Sequence, residues 1–459
     1  MTASPQTVVV VGGGMSGLAA AHALRGLANV IVLEASGRVG GKLRVSDVGG
    51  VPVDEGADAM LRRVPDAVAL AAQVGLGNDL VSPASGEAFL RSRGRLRPLP
   101  VGTLLGVPGD LAALARSEVL SAAALARVPV DLIARGAVTV EDVSVGELVT
   151  RRLGREVVER LVDPLLGGVY AGRADQLSLQ ATLPPLAAAL TRQRSLVLAV
   201  REARIATDDG PVFAGLPGGL GRLPAAVATA SGAEVRVGTT VRDLHRTATG
   251  WRVVTGSAAS PSYVDADAVI VAVPAAPAAR LLRDVAPAAA AEVAGIDYAS
   301  VAIVTLVLAG SPPGRGSGYL VPAVEGLTTK AVTFTSRKWD WYADDVTVVR
   351  ASVGRYGEEI DLQRDDDELT ALVHRELGLV LGPVGRLMDS RVTRWGGGLP
   401  QYAVGHLDRV RRIRAALPAG LAVAGAAYDG VGVPAVIRSG TAAAAVVLPH
   451  NGRHDGEPA

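Results

Sequence analysis

Apolar and polar positions change pattern in blocks along the chain. Thr7–Val11 is an unbroken β-branched run, which predicts a strand buried on both faces of a parallel sheet. Gly12–Gly17 interrupts it, and an Ala-rich stretch from Met15 to Leu27 predicts a helix. Asn29–Leu33 is a second buried run that ends at Glu34, so Val8–Glu34 reads as one βαβ unit. From 65 to 205 the chain is rich in Ala, Leu and Arg and reads as mainly helical, with turns at Pro98–Pro100, Val107–Gly109 and Asp163–Gly168. Strand patterns return at Ala233–Leu244, Trp251–Thr255, Ala268–Val273, Val301–Ala309, Ala331–Thr335 and Val346–Val353. Asp366–Leu379 has helical periodicity, Leu421–Ala445 reads as strand, Gly-containing loop and helix, and the polar Asn451–Ala459 reads as a frayed end.

Strand–loop–helix units thus stand at the start, middle and end. The expected fold class is α/β with α+β insertions: a Rossmann-like cofactor domain built from 1–75, 206–275 and 395–459, a mainly helical domain at 76–205, and a mixed-sheet substrate domain at 276–394. A chain of 459 residues has the length for two or three domains.

Composition narrows the chemistry. A net charge of +1 gives no reason to expect nucleic acid. The absence of cysteine excludes disulfides, thiolate metal sites, Fe–S clusters and a cysteinyl–flavin bond, so redox chemistry must come from a bound cofactor. His22, His245, His374, His406, His450 and His454 are scattered without metal-ligand spacing. No signal peptide and no apolar run long enough for a membrane span is seen, which predicts a cytoplasmic protein with at most peripheral membrane association.

Gly12-Gly13-Gly14-Met15-Ser16-Gly17 fits G-x-G-x-x-G between a strand and a helix. The first glycine permits the tight turn, the second lets backbone approach a pyrophosphate, and the third lets helix and strand pack closely. The helix start offers unpaired N–H groups to phosphate. Glu34, at the end of the second strand, can accept from a ribose and disfavours a 2′-phosphate. Ala35, Arg38, Gly41 and Lys42 follow, with cations to approach a pyrophosphate. A second fingerprint is lacking, which argues against a nicotinamide as electron acceptor.

Glu34–Lys42 resembles the E-A-S-x-R-x-G-G-[KR] stretch of the FAD-dependent amine oxidase and protoporphyrinogen/coproporphyrinogen oxidase superfamily. Gly56-Ala57-Asp58-Ala59-Met60-Leu61 is similar to the G-P-D-S-F-L segment of bacterial porphyrinogen oxidases, with Ala57 and Ala59 replacing proline and serine. Gly215–Leu223 resembles their G-G-[ML]-x-x-L segment, and Val235–Leu244 the strand whose valine, here Val241, meets the adenine side of FAD. Thr393-Arg394-Trp395 with Leu399–His406 resembles the R-W…P-Q-Y-x-x-G-H segment, distinctive for porphyrinogen oxidases. Gly425–Pro434 resembles the closing flavin loop, with Ala426, Val431, Gly432 and Val433 at the cofactor. Six such segments occur in order over nearly the whole chain.

The resemblance implies non-covalent FAD and six-electron oxidation of a porphyrinogen in three cycles. Each cycle moves a hydride from a meso carbon to flavin N5, with O2 as acceptor and H2O2 released. It favours coproporphyrinogen III in haem biosynthesis, with protoporphyrinogen IX as the alternative, and places transient contact with ferrochelatase among the implied partners. The propionates call for guanidinium or ammonium partners. Arg62 and Arg63 follow the G-P-D-S-F-L-like segment; Lys330 is a further candidate, as are Arg173, Arg337 and Lys338. A flavin amine oxidase is the second enzyme class, which would use Trp395 and Tyr428 as an aromatic cage and Lys330 near the flavin. An FAD-binding scaffold is the third reading.

Overall fold

The structure, a computed structural model, describes residues 5–133, 141–205, 211–310, 314–343 and 345–448. The 451–459 tail, His450 and His454 lie outside the described residues.

Five parallel strands form the sheet that carries the βαβ unit: β1 (Thr7–Val11), β2 (Asn29–Leu33), β3 (Glu234–Arg236), β4 (Ala268–Val271) and β5 (Leu421–Val423), in the order β3-β2-β1-β4-β5. Val8, Val9 and Val10 are fully buried because helices cover both faces. Strand order reverses at β1, where β2 lies on one side and β4 on the other. Such a switch point opens a crevice at the carboxyl ends of the strands. Helix α1 (Met15–Ala23) leaves β1, and helix α2 (Val433–Val447) follows β5. They pack so closely that a Cβ on Gly440 would lie 2.0 Å from the Ser16 carbonyl oxygen. Both helices therefore begin at the crevice.

A second, seven-stranded mixed sheet runs in the order 387–400, 298–309, 346–353, 329–334, 318–320, 89–92, 95–98. A small antiparallel sheet, Asp243–Arg246, Trp251–Ser257 and Ser260–Ala266, flanks the parallel one. The helices between 111 and 205 gather around one apolar cluster that includes Leu148, Leu161, Tyr170 and Tyr402.

Five differences from the sequence reading stand out. The expected Ala233–Leu244 strand is two strands, because the Gly238 and Thr239 N–H groups turn aside to the Ser36 and Glu34 carbonyls. The first helix ends at Ala23 rather than Leu27, in a turn containing Gly26. The last helix starts at Val433, with Pro434 in its first turn where the missing N–H does no harm. Within the stretch read as helical, Phe89–Ser92 and Arg95–Pro98 form a hairpin at the edge of the large sheet, its Arg93-Gly94 turn held by the Glu325 carboxylate. The strand Leu387–Pro400 also runs across the expected boundary at 394.

Candidate active site

The crevice is built from backbone first. A Cβ on Gly12 would meet the Ala272 carbonyl oxygen at 2.7 Å, and one on Gly17 the Gly12 carbonyl oxygen at 2.0 Å. At Gly14 a Cβ would meet nothing within 4 Å. Two glycines therefore serve internal packing, while the third leaves free space at the start of α1. Glu34 fixes the edge of that space: its carboxylate accepts the Gly13 N–H at 2.7 Å and the Ser36 N–H at 2.8 Å. The Gly13 carbonyl in turn accepts the Gly40 N–H at 2.8 Å, which brings 34–42 beside 12–17.

The two cations of this loop differ. Arg38 donates to the Val39 and Gly41 carbonyls, so its guanidinium braces the loop. Lys42 reaches solvent, yet lost hydration lowers its pKa. Both facts describe an ammonium with open access yet closely surrounded by protein. Val241 is buried next to the turn that the Glu34 carbonyl holds through the Thr239 N–H. A free volume at a helix start, a fixed carboxylate and a lysine in the cleft fit a dinucleotide.

A second wall is the loop Asp54–Ala59. The buried Asp54 carboxylate accepts the Leu220 N–H at 2.9 Å and so ties the 215–223 loop to it. Burial, with Asp58 nearby, pushes the Asp54 carboxyl up to about 7. Glu55 pairs with Arg44 at 3.1 Å. Asp58 pairs with Lys338 at 3.0 Å and Arg350 at 3.4 Å, and these cations hold it below the usual carboxylate range. Arg350 also donates to the Gly56 carbonyl, and the Trp395 indole N–H donates to the Glu55 carbonyl at 2.9 Å. The segment 55–58 is thus clamped to the seven-stranded sheet at three points.

The third wall comes from 399–406 and 425–433. Tyr402 donates its hydroxyl to the Ala426 carbonyl, and Gln401 donates to the Tyr170 carbonyl at 2.8 Å. Val431 packs on the helical cluster, and Gly432 and Val433 form the start of α2. His406 stacks on Tyr402 with ring centroids 4.1 Å apart. Its Nε2 is buried without a hydrogen-bond partner among the described residues. Burial and then the Arg409 charge lower its pKa from 6.5 to about 4, so it is neutral in the folded protein. Because the folded value is depressed, this stability is present above pH 6.5 and is lost as pH falls through 4. The difference corresponds to about 3 kcal/mol. His406→Phe should keep the stack and remove that part of the acid destabilisation. Melting temperatures of both proteins at pH 7 and pH 4.5 check it, and parallel curves would contradict it.

The candidate substrate cations fall in separate places, except that Lys330 and Arg173 share one cavity. Arg62 and Arg63 are exposed beyond the short strand Met60–Leu61. Lys338 is committed to Asp58, and Arg337 lies beside it in the 335–338 turn of helix. Lys330 is 94% buried and lines a cavity with Arg355, Arg173 and Asp163. Asp54, Arg350, Arg355 and Tyr170 were not singled out from the sequence. An arginine inside the apolar run Val346–Val353 was the available signal for Arg350.

The family model for flavin containing amine oxidoreductases matches residues 15–448. The chain belongs to the flavin-containing amine oxidoreductase family. Its cofactor is accordingly a flavin. It is 40% identical over 443 residues to the coproporphyrinogen III oxidase of Mycobacterium tuberculosis H37Rv, covering 95% of each chain. It is 32% identical over 473 residues to that of Bacillus subtilis 168, covering 98% of this chain and 99% of the relative. A crystal structure from Exiguobacterium sp. 255-15, provisionally named protoporphyrinogen oxidase, superposes with a TM-score of 0.87 at 32% identity, over 97% of this chain and 99% of that one. Cyclohexylamine oxidase from Brevibacterium oxydans shares the fold, with a TM-score of 0.72 at 17% identity over 97% of this chain and 99% of that one.

Within this flavin oxidoreductase, Trp395 and Tyr428 do not form an aromatic pair. Trp395 packs with Ala171, Ala299 and Val301, whereas Tyr428 belongs to the cluster under the parallel sheet. No helix among the described residues is long and apolar enough to cross a membrane.

Proposed function

We propose that the chain is an FAD-dependent coproporphyrinogen III oxidase that forms coproporphyrin III in haem biosynthesis. The observation that carries this reading is 40% identity, over 95% of both chains, to enzymes of that name. In the balanced reaction, one coproporphyrinogen III and three O2 give one coproporphyrin III and three H2O2. When bound, the flavin supplies a two-electron acceptor for hydride in each of three cycles.

The protein's part is to bind, orient and exclude water. Residues 12–17 and the start of α1 hold the pyrophosphate, with Lys42 as its cation and Arg38 bracing the loop. Glu34 already accepts two N–H groups, and its remaining lone pairs serve the ribose. Ala35, Gly41 and Val241 line the adenosine end. Gly56, Ala57, Asp58, Ala59 and Trp395 form the wall toward the seven-stranded sheet. Ala426, Val431, Gly432 and Val433 bring the positive end of α2 to the ring, where it favours negative charge. Binding is non-covalent at cysteine, since the chain has none. The segments 1–75, 206–275 and 395–459 act as the FAD domain, 276–394 as the substrate domain and 76–205 as the helical domain. The setting is cytoplasmic, and ferrochelatase is the candidate recipient of handed-on product.

Purified yellow protein, mixed in air with coproporphyrinogen III, protoporphyrinogen IX or a panel of amines, tests the reading. Porphyrin fluorescence should rise fastest with coproporphyrinogen III, with three peroxides per porphyrin. Fluorescence with neither porphyrinogen overturns the activity, and a faster rise with protoporphyrinogen IX overturns the substrate.

A further inference from the structure

The cavity beside Lys330 is lined by three cations, Lys330, Arg355 and Arg173, and two acids, Asp163 and Glu358. Lys330 is the second residue of the strand Thr329–Phe334, and the pairing with Val346–Val353 slips between Thr329 and Ala331. Lys330 therefore sits at a β-bulge, a device that re-aims a side chain and gathers near active sites. The strand delivers the ammonium, 6% exposed, into a cavity of about 60 Å³ shared with Asp163, Gly172, Arg173, Arg355 and Glu358.

The acids of this cavity are already engaged. Glu358 pairs with Arg173, and Asp163 accepts the Ala174 N–H at 2.7 Å. Arg355 donates to the Val321 carbonyl at 3.1 Å. Among the described residues, the charged group that acts on Lys330 is Arg355, another cation. Arg355 faces Glu358 and Asp163 as well, whereas the buried Lys330 ammonium has Arg355 beside it and an anion would relieve that repulsion. The volume has room for a few waters or one carboxylate arm, at roughly 10–15 Å³ of such space per water, and not for a tetrapyrrole.

One lining residue of the cavity, Gly172, packs against the 401–402 segment of the third wall. A Cβ on Gly172 would lie 2.3 Å from the Gln401 amide oxygen. Gln401 is held by Tyr170, and the adjacent Tyr402 holds Ala426. We propose that Lys330 and Arg355 form the seat for one propionate carboxylate of the porphyrinogen, fixing the macrocycle by one arm. This rests on the functional reading above and adds the specificity-determining residues to it. The same pair repels a cationic amine, which separates the site from that of an amine oxidase.

Burial, and then Arg355, lower the Lys330 pKa to about 7, so the free site is partly neutral at physiological pH. The charges facing the pair are Asp163 and Arg173 from the helical side, Glu358 from the loop after 353, and Glu376 from the helix Asp366–Leu381. A carboxylate on the seat raises the lysine's pKa, and binding takes up a proton.

The test titrates wild-type, Lys330→Met and Lys330→Arg holoenzymes with coproporphyrin III and with its tetramethyl ester in detergent, read by fluorescence quenching. Lys330→Met should weaken coproporphyrin III roughly 10- to 100-fold, the range of a charge-assisted hydrogen bond. Lys330→Arg should keep most of the affinity, and the ester should bind all three alike. Wild-type affinity in Lys330→Met, or an equal loss for the ester, overturns the seat. Calorimetry of the wild-type holoenzyme near pH 8, in two buffers of different ionisation enthalpy, needs no variant. Proton uptake on binding coproporphyrin III supports the seat, and its absence overturns it. A wild-type protein that neither binds nor oxidises any porphyrin substrate overturns the functional reading, and the seat with it.

Discussion

Gly17→Ala should give a protein that retains no flavin after gel filtration and melts well below the wild type. The added methyl would lie 2.0 Å from the Gly12 carbonyl oxygen and 3.2 Å from Val10 Cγ1. Overpacking of a core commonly costs about 1–3 kcal/mol, and more when the obstacle is backbone that has no rotamer to change. The helix α1 must lift from β1, and the turn that shapes the crevice moves with it. Gly14→Ala makes the contrast. Its φ of −71° suits alanine and its Cβ meets nothing within 4 Å, so the flavin-free protein should melt as the wild type does. The methyl nonetheless occupies the space at the start of α1, and flavin affinity should fall. Flavin-to-protein absorbance ratios and the melting temperatures of both flavin-free variants separate a packing glycine from a ligand-facing one. A wild-type flavin content in either variant contradicts the assignment of that glycine.

Asp58→Ala should be the most damaging side-chain truncation in the site. It leaves Lys338 and Arg350, both largely buried, facing each other without the carboxylate between them. Removing one partner of a buried ion pair typically costs about 3–5 kcal/mol. The loop 55–58 would keep the Arg350 bond to the Gly56 carbonyl and the Trp395 bond to the Glu55 carbonyl, so the expected outcome is a loosened site in a folded protein. Adding Lys338→Met to Asp58→Ala should recover part of the loss, because one unpaired charge goes with it. Chemical unfolding of the wild type, both single variants and the double variant checks this. Strictly additive losses would mean that the two residues do not interact.

The crevice at the carboxyl ends of the parallel strands was legible because local signals agree there. A β-branched run, a glycine turn, a small-residue helix and an acidic strand end all specify one geometry. Arg38 also donates to the Val39 and Gly41 carbonyls, a bracing of the loop that its spacing alone does not disclose. The partners of Asp58 and the setting of Lys330 depend on contacts across some 280 residues and on a register slip between strands. Neither leaves a periodic trace in sequence. The hairpin at 89–98 was hidden for a related reason: its turn is Arg-Gly rather than Asn-Gly, inside a stretch of helix-forming composition.

The most direct measurement is a single turnover without oxygen. Oxidised holoenzyme is mixed anaerobically with coproporphyrinogen III, and the visible flavin absorption is followed in a stopped-flow instrument. Rapid loss of that absorption with coproporphyrinogen III, and none with the amine panel, is the predicted result. Loss with an amine and none with the porphyrinogen would contradict the account.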